Sequence, residues 1–171
     1  TNIKFSYSIK EIEKAEIVIE AIIEDLDTKK DMFQKIENLV SDMCIIATNT
    51  SSISITSIAS ACKRPERVIG MHFFNPAPLM PLVEIIPAIQ TSDDTIIKTM
   101  TLSESWKKTT VLCKDTPGFI VNRLARSFYS ESIRIYEENI ANKVTIDWAM
   151  KELGGFRMGP CELMDYIGHD V

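Results

Sequence analysis

Glycine is scarce and unevenly placed: six occur in 171 residues, all at Gly70 or later, so no Gly-x-Gly-x-x-Gly turn can be drawn among them. Histidine is rarer still, at two. The four cysteines, Cys44, Cys62, Cys113 and Cys161, form neither a CxxC pair nor any Cys/His spacing suited to zinc, which removes a structural metal from the expectations. Cys44 and Cys113 border strand-like runs and read as reduced core thiols. There is no Lys/Arg-rich block, and the formal charge of −5 argues against a nucleic-acid partner, which needs a clustered basic surface. No apolar run approaches the ~20 residues needed to span a bilayer, and the first residues lack the basic-then-apolar order of a secretory signal. The expectation is a cytoplasmic protein that engages neither nucleic acid nor membrane.

What is present alternates. Glu16 to Ile23 reads as a buried strand, and Thr28 to Val40 as a helix with Met32, Phe33, Ile36, Leu39 and Val40 on one face, opened by a Thr28-x-x-Asp31 capping pattern. Cys44 to Thr48 is the next strand, followed by a short helix from Ile55 to Ala61. Then come strands over Val68 to Phe73 and Leu82 to Pro87, a helix from about Asp93 to Trp106, and a strand over Thr109 to Leu112. Such alternation predicts an α/β fold with a mostly parallel sheet covered by helices. After Thr116-Pro117-Gly118 no strand-like run recurs. Phe119 to Ile140 carries helical spacing with two apolar stripes, Val121, Leu124, Phe128, Ile135 and Tyr129, Ile133, Tyr136, Ile140, so this helix should be buried over a wide arc. Thr145 to Leu153 and Cys161 to Ile167 are the remaining helices. They are too few to cover that arc, which leaves part of it for something missing or for a partner subunit.

One pairing carries chemistry. Glu84 is a carboxylate inside the apolar strand Leu82-Val83-Glu84-Ile85-Ile86, where it would lose hydration unless it met a partner, and His72, in Gly70-Met71-His72-Phe73-Phe74-Asn75-Pro76, is a suitable one. An acid/base dyad is one reading of the pair and a satisfied structural contact is the other.

The runs Ala47-Thr48-Asn49-Thr50-Ser51-Ser52, Gly70 to Pro76, Leu82 to Ile86 and Thr116-Pro117-Gly118-Phe119-Ile120-Val121-Asn122-Arg123, in that order, resemble the 3-hydroxyacyl-CoA dehydrogenases, including the 3-hydroxybutyryl-CoA type. The likeness extends through Met158 to Leu163 and Asp165 to Gly168. It implies the second half of a Rossmann-type NAD-binding domain over residues 1–115, without that domain's first β-α-β unit and its glycine turn, and part of an all-α domain over 116–171. The chain thus resembles an interior stretch of the family. A polypeptide of these residues alone is expected to be inactive, either the central piece of an enzyme or a silent remnant acting only in association.

The resemblance also implies roles. His72 matches the general base that takes the proton of the 3-hydroxyl while hydride passes from C3 to NAD, and Glu84 matches its orienter. Ser51 and Asn122 match groups that hydrogen-bond the substrate's oxygen atoms, and Glu24, Lys29, Asn75 and Ser51 match contacts to the nicotinamide side of the cofactor. Taken without the family, Glu24 and Lys29 are solvated charges at a helix start, Ser51 and Ser52 are turn or N-cap residues, and Asn122 is a local backbone binder. His169 matches no catalytic position. The implied substrate is an acyl-CoA, by default 3-hydroxybutyryl-CoA, and the implied assembly is a homodimer through the helical domain. Gly155-Phe156-Arg157-Met158-Gly159-Pro160 is also similar to dehydrogenases that act on 3-hydroxyadipyl-CoA, where Arg157 could meet a distal carboxylate.

Overall fold

The computed structural model describes residues 3–168, so His169 lies outside the described residues. The chain divides into two compact units, Thr1–Phe119 and Ile120–Val171. The first holds a five-stranded sheet built from β1 (Ile17–Glu20), β2 (Ile45–Thr48), β3 (Val68–Phe73), β4 (Leu82–Pro87) and β5 (Thr109–Leu112), laid side by side in chain order. All neighbours are parallel except β3 and β4, which are antiparallel. The helices α1 (Leu26–Glu37), α2 (Ile55–Ala59) and α3 (Asp93–Ser105) connect them.

Period-two alternation decides which side chains meet which helix. Ile45, Ala47, Ile69, Met71, Val83 and Ile85 form one buried face, on which Ile96 and Met100 of α3 pack. The opposite face of β3 carries Gly70 and His72, and α2 lies against it so closely that a Cβ on Gly70 would stand 2.9 Å from Ile55 Cδ1 and 3.0 Å from Ile86 Cβ. A glycine in this strand is therefore a requirement of helix-to-sheet approach.

Two expected boundaries shift for identifiable reasons. The first strand ends at Glu20, short of Ile23, because the Ile22 amide turns back to the Glu20 carboxylate at 2.5 Å. The first helix opens at Leu26, two residues before Thr28: Asp25 is its N-cap, accepting from the Thr28 amide at 2.8 Å and the Thr28 hydroxyl at 2.6 Å. Thr28 is thus the recipient of a cap and not its source. At α2 the N-cap is Ser54, whose hydroxyl accepts from the Ser57 amide at 3.2 Å. Far along the chain Asp115 reinforces it, accepting from the amides of Ile55 and Thr56 at 3.0 and 2.8 Å and from the Ser54 hydroxyl at 2.8 Å.

The second unit contains α4 (Val121–Glu137), α5 (Lys143–Glu152) and α6 (Pro160–Ile167). The first of these is shorter than the apolar spacing suggested, since Asn139 turns left-handed at φ 56° and the Ile140 amide closes on the Ile135 carbonyl at 3.1 Å. Of the wide apolar arc, this chain covers only part. Ser132 is its one buried residue, whereas Leu124, Ile133 and Tyr136 are exposed. Phe128 stacks on Phe156 with centroids 4.9 Å apart, and α6 packs beside it, which covers one side only.

Candidate active site

His72 and Glu84 occupy directly opposed positions of the antiparallel β3–β4 pair, so their side chains rise from the same face of the sheet. His72 Nδ1 lies 2.7 Å from Glu84 Oε2, with the carboxylate fully buried and the ring nearly so. Because an ionised carboxylate only accepts, Nδ1 carries the shared proton and Nε2 is left with the lone pair. The ring sits between Phe74, with centroids 4.8 Å apart, and Phe119, at 5.5 Å, so it is held by aromatic walls as well as by its partner. Phe119 reaches this position through a left-handed turn, φ 77° at Gly118 and 45° at Phe119.

A second polar group forms where β1 and β2 end. Glu20 and Thr48 are register partners, and the Thr48 hydroxyl donates to Glu20 Oε2 at 2.7 Å. Lys29, from the first turn of α1, donates to Glu20 Oε1 at 2.7 Å and stands 3.4 Å from Glu24 Oε2. The solvated-charge account of Lys29 does not hold, because the side chain is 1% exposed. Glu24, by contrast, is 40% exposed and is the member of the group open to a ligand. Its Oε1 gathers the Thr50 hydroxyl, the amides of Ser51 and Ser52 at 3.0 and 3.2 Å, and the Ser52 hydroxyl at 3.2 Å. Burial is the largest influence on this carboxyl and pushes it up, but the bonds from Thr50 and Ser51 and the charge of Lys29 together hold it below its ordinary value.

These residues cluster on adjoining strand ends. Ser51 follows β2, and Asn49 ties that loop to the next strand by accepting from the Phe73 amide at 2.8 Å, one residue past His72. Asn75 follows β3, exposed, ahead of a cis peptide to Pro76. The fold thus joins His72 with Glu84, and Glu24 with Lys29 and Ser51. Asn122 stands in the first turn of α4, in the second unit. Ser51 and Ser52 do not cap α2, that place being Ser54's. Glu20 was missed, although the cue was the one that marked Glu84: a carboxylate closing an apolar strand run, Ile17-Val18-Ile19-Glu20. Among the thiols, burial pushes Cys113 up to about 12 and Cys62 to about 11, so neither is a nucleophile near neutral pH.

Residues 1–116 match the family described as 3-hydroxyacyl-CoA dehydrogenase, NAD binding domain, and residues 118–171 match 3-hydroxyacyl-CoA dehydrogenase, C-terminal domain. The chain is 49% identical to the 3-hydroxyadipyl-CoA dehydrogenase of Escherichia coli (strain K12) over 92% of its own length and 33% of that protein's. It is 43% identical to the 3-hydroxybutyryl-CoA dehydrogenase of Clostridioides difficile, covering all of this chain and 61% of the relative. The crystal structure of (S)-3-hydroxybutyryl-CoA dehydrogenase PaaH1 from Ralstonia eutropha superimposes with a TM-score of 0.91 at 42% identity, over 96% of this chain and 58% of that one. The chain therefore spans between a third and about three fifths of the length of these relatives. By both halves of its sequence and by its fold, it belongs to the 3-hydroxyacyl-CoA dehydrogenase family.

Proposed function

We propose that the whole protein oxidises the 3-hydroxyl of an acyl-CoA to a ketone with NAD as the acceptor, 3-hydroxybutyryl-CoA being the default substrate. The observation that carries this is the buried His72–Glu84 pair, joined through Nδ1. His72 Nε2 takes the hydroxyl proton as the alcohol is oxidised, and Glu84, bonded to Nδ1, holds the tautomer and stabilises the imidazolium that results. Ser51 and Asn122 hydrogen-bond the reacting oxygen and stabilise charge developing there.

The residues present suit the nicotinamide end of NAD. The exposed carboxylate of Glu24 and the polar groups of Ser51 and Asn75 lie at the carboxyl ends of the strands, where doubly wound sheets take their ligands, with Lys29 behind Glu24. The chemistry NAD supplies when bound is acceptance of hydride from C3. This reading assigns residues 1–115 to the Rossmann-type part and 116–171 to the helical part. Association as a homodimer would use α4, where Leu124, Ile133 and Tyr136 expose apolar surface, and light scattering tests it.

A second substrate deserves trial because of one side chain. Arg157 borders an apolar groove of about 550 Å³ in the second unit, lined also by Val121, Leu124, Phe128, Phe156 and Leu163, so a chain ending in a carboxylate, such as 3-hydroxyadipyl-CoA, has an apolar bed and a cation at hand. The test is NADH formation by the whole protein on each thioester. Activity on either supports the assignment. Absence of NADH formation from both contradicts it.

A further inference from the structure

Glu20 and Lys29 are 4% and 1% exposed, and no step of the proton transfer uses either. A buried ion pair is seldom better for stability than apolar side chains of the same volume, because desolvation of both charges opposes their attraction, so its presence here calls for another reason. The geometry offers one. Glu20 Oε1 accepts from Lys29 Nζ at 2.7 Å and from the Ile22 amide at 2.5 Å, while Oε2 accepts from Thr48, so both carboxylate oxygens are held. Lys29 is drawn toward it and stays at 3.4 Å from Glu24 Oε2. That looser contact leaves Glu24 free to turn Oε1 onto the amides of Ser51 and Ser52.

We propose that Glu20 is a positioning residue: by holding Lys29 back from Glu24 it lets Glu24 organise the loop after β2, and so sets where Ser51 stands for the ligand. Loss of the Glu20 charge would transfer Lys29 wholly to Glu24, and a carboxylate drawn to the ammonium turns away from the loop amides. The inference rests on Ser51 and Glu24 acting as substrate and cofactor groups, as proposed above.

The test is Glu20→Gln in the whole protein, which keeps the side chain's shape and one acceptor. Amide hydrogen exchange at Ser51 and Ser52 is expected to quicken about tenfold relative to Met71 and Ile85 in the central strands, because local opening and not global unfolding is being changed. The dissociation constant for NADH, titrated directly, is expected to rise about fivefold, and Glu20→Gln added to Glu24→Gln is expected to change it by less than about twofold, since residues acting through one another are not additive. Equal acceleration of loop and strand amides would show a merely structural pair and overturn the proposal, as would an unchanged loop or additive effects. Should Glu20→Gln fail to fold, Glu20→Asp keeps the charge but shortens its reach to Lys29 Nζ, and the loop amides should then quicken about threefold against the strands; no change there overturns the proposal equally. If the unaltered protein binds no NADH, the functional assignment fails, while the exchange at Ser51 and Ser52 still decides whether Glu20 governs the loop.

Discussion

Glu84 faces His72 across two antiparallel strands with 2.7 Å between Oε2 and Nδ1, and no solvent reaches the carboxylate. A group so placed can fix only one ring nitrogen, which leaves the other to chemistry. Glu84→Gln keeps the shape but removes the counter-charge of the imidazolium, so turnover of 3-hydroxybutyryl-CoA should fall by roughly one to two decades while the Michaelis constant for NAD changes little. Steady-state kinetics of the whole protein check this. A variant with ordinary turnover would make the pair a structural contact.

Asp115 fastens the start of α2 to the chain sixty residues later, through two amides and a hydroxyl. Burial acts most strongly on its carboxyl and pushes it up, yet the bonds from Thr56, Ser54 and Ile55 outweigh burial and hold it below the ordinary aspartate value. A carboxyl depressed in the folded state contributes stability above its unfolded value, about 4, and that contribution is lost as pH falls through the folded value. Asp115→Asn should therefore cost about 1–2 kcal/mol in urea unfolding at pH 7 and show a shallower loss of stability below about pH 4 than the unaltered chain. Parallel acid profiles for the two proteins would remove Asp115 from that role.

Gly70 tolerates no side chain without movement of Ile55 or Ile86. Gly70→Ala should destabilise by about 1–3 kcal/mol, as overpacking of a close contact does. It should also lower turnover, because the displaced strand carries His72 two residues on. Thermal unfolding with an unchanged midpoint would show that α2 is not seated as tightly as these distances require.

Much of this was legible in the residues. The run Val68 to Phe73 and the run Leu82 to Pro87 became strands with the expected bounds, because branched apolar residues closed by turn signals leave few alternatives, and the pairing of His72 with Glu84 followed from the cost of burying a lone carboxylate. Less local effects were hidden. The end of β1 depends on a bond from the Ile22 amide to a side chain two residues back, and the cap of α1 on a choice between Asp25 and Thr28 that spacing alone does not make. Lys29 looked like surface charge because its partner, Glu20, belongs to another element, at the end of β1. Apolar stripes on α4 announced a wide buried arc, yet periodicity records what a helix could cover and not what covers it.

Arg157 offers a test of substrate length. If it reads a distal carboxylate, Arg157→Ala should depress activity on 3-hydroxyadipyl-CoA more than on 3-hydroxybutyryl-CoA by about 1–3 kcal/mol, the worth of a charge-assisted bond. Equal losses on the two thioesters would place the guanidinium outside the acyl path and leave the groove beside Phe128 and Phe156 as plain apolar surface.

The most direct measurement is the turnover of His72→Gln in the whole protein, with NAD affinity measured alongside. Gln has no basic nitrogen to take the hydroxyl proton, so turnover should fall by roughly two to four decades while the dissociation constant for NAD stays within about threefold. Turnover within about threefold of the unaltered enzyme would contradict His72 as the base, and with it the mechanism assigned to this site.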